Sequence, residues 1–251
     1  MQNDQYYLQN WSDHQIILNA DDEGPIYQCL QQAAANAKDT IRILVDYSSM
    51  SRLWYAGILN WALYSPVEKD IEIDFLYAVG EHKEEVPPLV IRDIISIPGC
   101  EESPVPFPAS VVVFGLGFDG LATLCVLDRL EPDAVYAYLA SPAAFEDYPE
   151  RARLSNRELI QRHSAATLEL PLTRVEATFR YLTELISPHR DKATIILVPM
   201  GPKPHVLAAI LLSMRFKGVG CLDVSGRREP PERVGTTGDI VVTKVELKRV
   251  A

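Results

Sequence analysis

Lys203 stands where a helix would not place a lysine for its own sake. It lies in Pro199-Met200-Gly201-Pro202-Lys203-Pro204-His205, after the apolar run Thr194-Ile195-Ile196-Leu197-Val198 and before a helical pattern from about Pro204 to Arg215. The positive end of a helix dipole repels a cation at its start. An anion held between the ammonium and the helix end removes that conflict, and Gly201 is a ligand-binding candidate of the same rigid turn. His205, in the first turn, is either a polar helix-start residue or a further ligand contact. A second turn, Asp46-Tyr47-Ser48-Ser49-Met50-Ser51-Arg52, follows the run Ile41 to Asp46. Helix capping accounts for one of its serines. Asp46, the remaining hydroxyls of Ser48, Ser49 and Ser51, and Arg52 suit a ribose and phosphate, since arginine meets phosphate oxygens in pairs. No GxSxG elbow supports a serine nucleophile.

The third turn, Gly115-Leu116-Gly117-Phe118-Asp119-Gly120, fits GxGxxG between an apolar strand and a helix. In that pattern Gly115 makes the tight turn, Gly117 admits a pyrophosphate, and Gly120 lets helix and strand pack. Over about residues 109 to 224 the chain resembles the Rossmann-type nucleotide-binding superfamily, which implies a nucleotide at this turn. The acid that would hold an NAD ribose is missing from the next strand tip, Leu139-Ala140-Ser141-Pro142, and Asp119 puts a negative charge beside the phosphates, so NAD and NADP are disfavoured. The turn is also similar to the GxGxDGH turn of sugar-phosphate isomerases and lactonases, but Leu121 replaces their histidine and that activity is not implied. The turn at 199–205 is similar to the strand-turn-helix of CARF-type nucleotide sensors, where a small-residue turn with a lysine faces a cyclic oligonucleotide.

A fourth turn, Asp223-Val224-Ser225-Gly226-Arg227-Arg228, leads to Arg233 and the glycine-rich Gly235-Thr236-Thr237-Gly238-Asp239. It reads as a basic loop over an anion, or as arginines paired with Glu229 and Glu232. Asp46, Asp119 and Asp223 are the carboxylates able to serve as a general base or to stabilise charge. Three readings of function stand: a sensor or regulatory subunit binding a nucleotide or phosphorylated small molecule; a hydrolase or transferase acting on such a ligand; or a structural, partner-binding subunit or homo-oligomer with a degenerate site.

These turns share one need, a scaffold that brings strand ends together. Apolar runs followed by a turn and a helix recur at Ile41–Asp46, Ser110–Phe114 and Thr194–Val198, with helices expected at 51–62, 119–130 and 204–215. Further strand candidates are Gln15–Leu18, Ile71–Ala78, Ala134–Leu139, Thr167–Leu170, Gly220–Val224 and Ile240–Leu247. The last alternates like an edge or antiparallel strand. The pattern predicts one α/β domain over residues 1–251: a doubly wound, mainly parallel sheet of about nine strands, helices on both faces, and a C-terminal edge strand. Its N-terminal half is 1–97, its proline-rich crossover 98–108, and its Rossmann-like half 109–251. The charged stretch Ser141–His163 reads as an inserted loop and mostly solvated helix overhanging the site.

Composition limits the partners. Thirty-four acidic against 24 basic residues give a net charge of −10, which opposes broad nucleic-acid or anionic-membrane binding and leaves room for a local basic pocket. The four cysteines form no CxxC or Cys/His cluster, so neither a metal site nor a disulfide framework is expected. Without an apolar leader or membrane span in the pattern, a cytoplasmic location is the expectation.

Overall fold

The computed structural model describes residues 24–82, 86–104, 107–229 and 234–248. The Gln15–Leu18 strand candidate, Glu232 and Arg233 lie outside the described residues. In chain order the elements are α1 (Gly24–Asn36), β1 (Thr40–Asp46), α2 (Arg52–Tyr64), β2 (Asp70–Glu81), β3 (Val90–Ser96), β4 (Ala109–Gly115), α3 (Gly120–Leu130) and β5 (Ala134–Ala140). There follow α4 (Tyr148–Ser155), α5 (Arg157–Arg162), β6 (Ser164–Leu170), α6 (Val175–Ile186), β7 (Ala193–Pro199), α7 (Lys203–Arg215), β8 (Val219–Arg227) and β9 (Gly235–Leu247).

The single doubly wound sheet predicted above does not form. The strands divide into a six-stranded sheet, ordered β3-β8-β7-β4-β5-β6, and a three-stranded sheet, ordered β1-β2-β9. Burial explains the division. β7 is buried along nearly its whole length, as a strand covered on both faces must be. β2 alternates: Ile71, Ile73, Phe75, Tyr77 and Val79 are buried while their neighbours are at most half-buried apart from Gly80. On β1, Leu44 is 69% exposed. Strands with one wet face cannot sit inside a doubly covered sheet. They form a separate sheet with one buried face, and the alternating β9 closes its edge antiparallel to β2, Ile71 opposite Leu247 and Ala78 opposite Ile240. The proline-rich 98–108 joins β3 to β4, both in the larger sheet. In chain order β2 of the small sheet is followed by β3 of the larger, and β8 of the larger by β9 of the small.

Within the larger sheet β8, β7, β4, β5 and β6 run parallel and β3 is antiparallel. Val111, Val113, Ile195 and Leu197 face one core with α6 and α7, and that core runs on through α2 into the small sheet. Val112, Phe114, Val135 and Leu139 face a second core with α3. From β4 the chain moves outward through β5 and β6, then returns to β7 on the other side. Strand order therefore reverses between β4 and β7, and a crevice opens at the carboxyl ends of such a pair. Among the described residues no helix is long and apolar enough to cross a membrane.

Candidate functional site

A cavity of about 760 Å³ lies at this reversal, where the carboxyl ends of the larger sheet meet the end of β2. Its size falls within the range of about 300–1,000 Å³ usual for small-molecule sites. Three helices begin on its wall: α2 at Ser51-Arg52, α3 at Asp119-Gly120 and α7 at Pro202-Lys203. Parallel strand-to-helix connections put these starts together, so their free backbone N–H groups and positive dipole ends converge. None of the three caps its own start through a side chain; Ser51 occupies the N-cap of α2 without a side-chain cap bond. The Ser49 and Ser51 hydroxyls are exposed on the lining.

The charged groups of the lining are arranged unequally. Arg52 Nη1 donates to Asp223 Oδ1 at 3.1 Å, with side chains 23% and 11% exposed. Arg228 grips Asp119 with both nitrogens, Nη1 to Oδ1 at 2.7 Å and Nη2 to Oδ2. It also donates to Pro87 O. Two of the three acids proposed as bases, Asp223 and Asp119, thus hold an arginine. The negative charge that Asp119 brings to the glycine turn is met by Arg228. Lys203 is left over: its Nζ donates to the Met50 carbonyl, and among the described residues no carboxylate is within salt-bridge distance. Burial, and then the neighbouring Arg52 charge, lower its ammonium to about 8 against an opposing pull from Asp46.

The ion pairs make a stability prediction. Arg228→Met leaves Asp119, 12% exposed, as a partly buried carboxylate without its cation, and should cost about 2–4 kcal/mol. Adding Asp119→Asn should recover much of that loss. Thermal melts of the single and double variants check it; a double variant less stable than Arg228→Met would contradict the pairing.

The glycine turn is packed from behind. A Cβ at Gly115 would lie 2.6 Å from Tyr138 Oη, one at Gly117 2.5 Å from Met200 O, and one at Gly120 1.7 Å from Ser155 O. Gly201 reciprocates, its Cβ position 2.9 Å from Leu116 O. The turns after β4 and β7 therefore lie backbone against backbone, and protein packing requires Gly117 and Gly120, whose obstacles are backbone atoms. Gly117 and Gly201 still border the cavity; Gly115 and Gly120 do not.

Of the other expected residues, Ser48 lines the cavity but is occupied. Its hydroxyl donates to Asp46 Oδ1 at 2.6 Å and accepts from the Ala78 N–H at 2.8 Å, tying the β1 turn to β2. Asp46 is outside the lining. His205 is corrected from ligand contact to core residue: it is 1% exposed, its Nε2 is 3.3 Å from Pro171 O, and its ring lies 5.5 Å from that of Tyr138. Burial lowers it to about 4, so it is neutral at physiological pH. The insertion 141–163 is less solvated than its charges suggest, with Tyr148, Ala152, Asn156 and Leu159 buried. Asn156 donates to Gly117 O at 2.8 Å and so braces the glycine turn.

Sequence reasoning missed a group of rings at the cavity: Phe118, His82 and Tyr148, contributed by the glycine turn, the end of β2 and the insertion. The only signal was an aromatic inside the glycine pattern. A second cavity, about 600 Å³ and containing Arg190, Lys217, Glu101 and Glu102, lies at the amino ends of β7 and β8, away from the helix starts. Among the described residues no three His, Cys, Asp or Glu side chains gather as a metal would require. No protein-family model matches the chain, and no curated protein is significantly similar to it.

Proposed function

We propose that the chain binds a nucleotide or phosphorylated small molecule in the cavity at the carboxyl ends of its strands, as a sensor or regulatory subunit. One observation carries this reading: Lys203 is a desolvated ammonium at a helix start, beside Arg52, with a backbone carbonyl as its hydrogen-bond acceptor. Neither the helix nor its neighbour favours a cation there. A phosphate between Lys203, Arg52 and the Ser49 and Ser51 hydroxyls supplies the missing charge, with helix N–H groups as further donors. The reversal of strand order between β4 and β7 supports the Rossmann-type likeness read from the glycine turn. Binding is favoured over turnover because Asp119 and Asp223 each hold an arginine and Asp46 holds Ser48.

A thermal-shift series with inorganic phosphate, pyrophosphate, ribose 5-phosphate and nucleoside mono-, di- and triphosphates tests the reading. A ligand present at 100 times its Kd stabilises by about 2.7 kcal/mol, raising Tm by about 5–11 °C in a chain of this size. No shift from any member at millimolar concentration would overturn it.

The pH dependence has a definite sign. Free Lys203 is charged below about 8, and an anion binds the charged form. Affinity should be level from pH 7 to near 8 and fall by up to about tenfold per unit above it. Isothermal titrations from pH 7 to 10 check this; affinity rising with pH would contradict it.

A further inference from the structure

We propose that the cavity takes a phosphorylated ligand bearing a planar aromatic ring, a nucleoside phosphate in chemical class, with the ring against Phe118, His82 and Tyr148. The proposal rests on the anion reading above and goes beyond it by naming what the phosphate is attached to.

The ring wall is built from three separate parts of the chain. Phe118 lies 5.3 Å from Tyr148 and 5.6 Å from His82, centroid to centroid, and His82 lies 6.2 Å from Tyr148. All three pairs meet edge to face, and all three residues border the cavity. Tyr148 fixes the wall across the two sheets: its hydroxyl accepts from the His82 N–H at 2.6 Å and donates to His82 O at 3.2 Å. Behind the rings, Arg151 places its guanidinium carbon 4.5 Å from the Phe118 centroid and 5.0 Å from that of Tyr148. A cation over these faces is attracted by their negative quadrupoles.

Simple gluing of the insertion onto β2 accounts for Tyr148, which is 9% exposed. It does not account for Phe118, which remains half-buried on the cavity side. Aromatic rings presented to a cavity whose lining also carries Lys203, Arg52, Ser49 and Ser51 match a ligand with a π-face joined to an anion. Every nucleobase has such a face, so the wall selects for a ring and is tolerant of which base carries it.

Titration calorimetry with adenosine 5′-monophosphate and ribose 5-phosphate tests this on the parent chain, Phe118→Leu and Lys203→Met, with a thermal melt confirming that each variant folds. The parent should prefer the nucleotide by about 10- to 100-fold, the usual size of base–aromatic stacking. Phe118→Leu should bring the two affinities to one level, and Lys203→Met should weaken both. Equal affinities in the parent, or a preference that survives Phe118→Leu, would overturn the ring site and leave the anion reading standing. If neither compound binds the parent, the ring site falls, and the anion reading falls with it only when the whole thermal-shift series is also without effect.

Discussion

Lys203→Met should weaken binding of a phosphorylated ligand by about 100-fold and at the same time raise the Tm of the ligand-free protein. The loss follows from removing a charge-assisted contact worth about 1.5–3 kcal/mol, where each 1.4 kcal/mol is tenfold. The gain follows from the same charge. The fold holds Lys203 at about 8, below the ordinary lysine value of 10.5, because burial and Arg52 disfavour its charged form. At pH 7 the folded chain therefore bears a cost that the unfolded chain does not, and a methionine of similar length has no charge to desolvate. Opposite signs on affinity and stability are the mark of a residue kept for its ligand. Arg52→Met gives the contrast: it should lose affinity and stability together, because Asp223, with 11% side-chain exposure, would be left without its cation. Calorimetry and thermal melts of the two variants separate the cases. A Lys203→Met protein that binds like the parent, or melts well below it, would contradict the assignment.

The largest effect on stability is expected from Gly120→Ala. Replacing glycine by alanine at a helix start ordinarily stabilises, by restricting the unfolded chain. Here the new Cβ would lie 1.7 Å from Ser155 O and 2.6 Å from Ser155 C, so the start of α3 and the end of α4 must separate. Both obstacles are backbone, and no rotamer change relieves them. A loss of about 3 kcal/mol or more is expected, lowering Tm by about 6–12 °C. Gly57→Ala is the control. Its Cβ would meet the Tyr27 hydroxyl at 2.9 Å, the far end of a side chain and not backbone, so the change should be smaller. A Gly120→Ala melt within 2 °C of the parent (under about 1 kcal/mol for this size) would show that packing does not demand this glycine.

The glycine turn shows both the reach of the sequence and its limit. Its spacing after β4 and before α3 is legible from the apolar run Ser110–Phe114 and the helical pattern beyond it. The reason for its glycines is not, because Met200, Ser155 and Tyr138, which crowd them, come from the turn after β7, the end of α4 and the interior of β5. β4 and β7 announce themselves as continuous apolar runs, β1 as an apolar run broken by Arg42, and β9 by its alternation. β3 is hidden because Arg92 and Asp93 interrupt its apolar residues. The helix α6 lacks a first-turn proline such as the one that marks α7, although Val175, Leu182 and Ile186 of α6 keep a buried helical stripe. The alternation in β2 and β9 was readable as one-faced burial, but nothing in single residues says that such strands leave the main sheet to form their own.

The site was legible to the same depth. Strand-end logic brings Arg52, Gly117, Gly201 and Lys203, which follow parallel strands, to one cavity with Asp223, which lies within β8. The pairing of charges was not legible. Arg52 and Asp223 are 171 positions apart and Arg228 and Asp119 are 109 apart, and only the folded chain shows that these arginines consume the carboxylates and leave Lys203 over. His205 went the other way: polar by type and placed at a helix start, it points into the core between Tyr138 and Pro171.

The most direct test is a crystal structure of the parent chain soaked with the tightest-binding compound of the thermal-shift series. The account predicts the phosphorus in the cavity of about 760 Å³, with phosphate oxygens within hydrogen-bond distance of Lys203 Nζ and of the Ser49 or Ser51 hydroxyl. A phosphate bound instead among Arg190 and Lys217 at the amino ends of β7 and β8, with the Lys203 cavity unaltered, would contradict it.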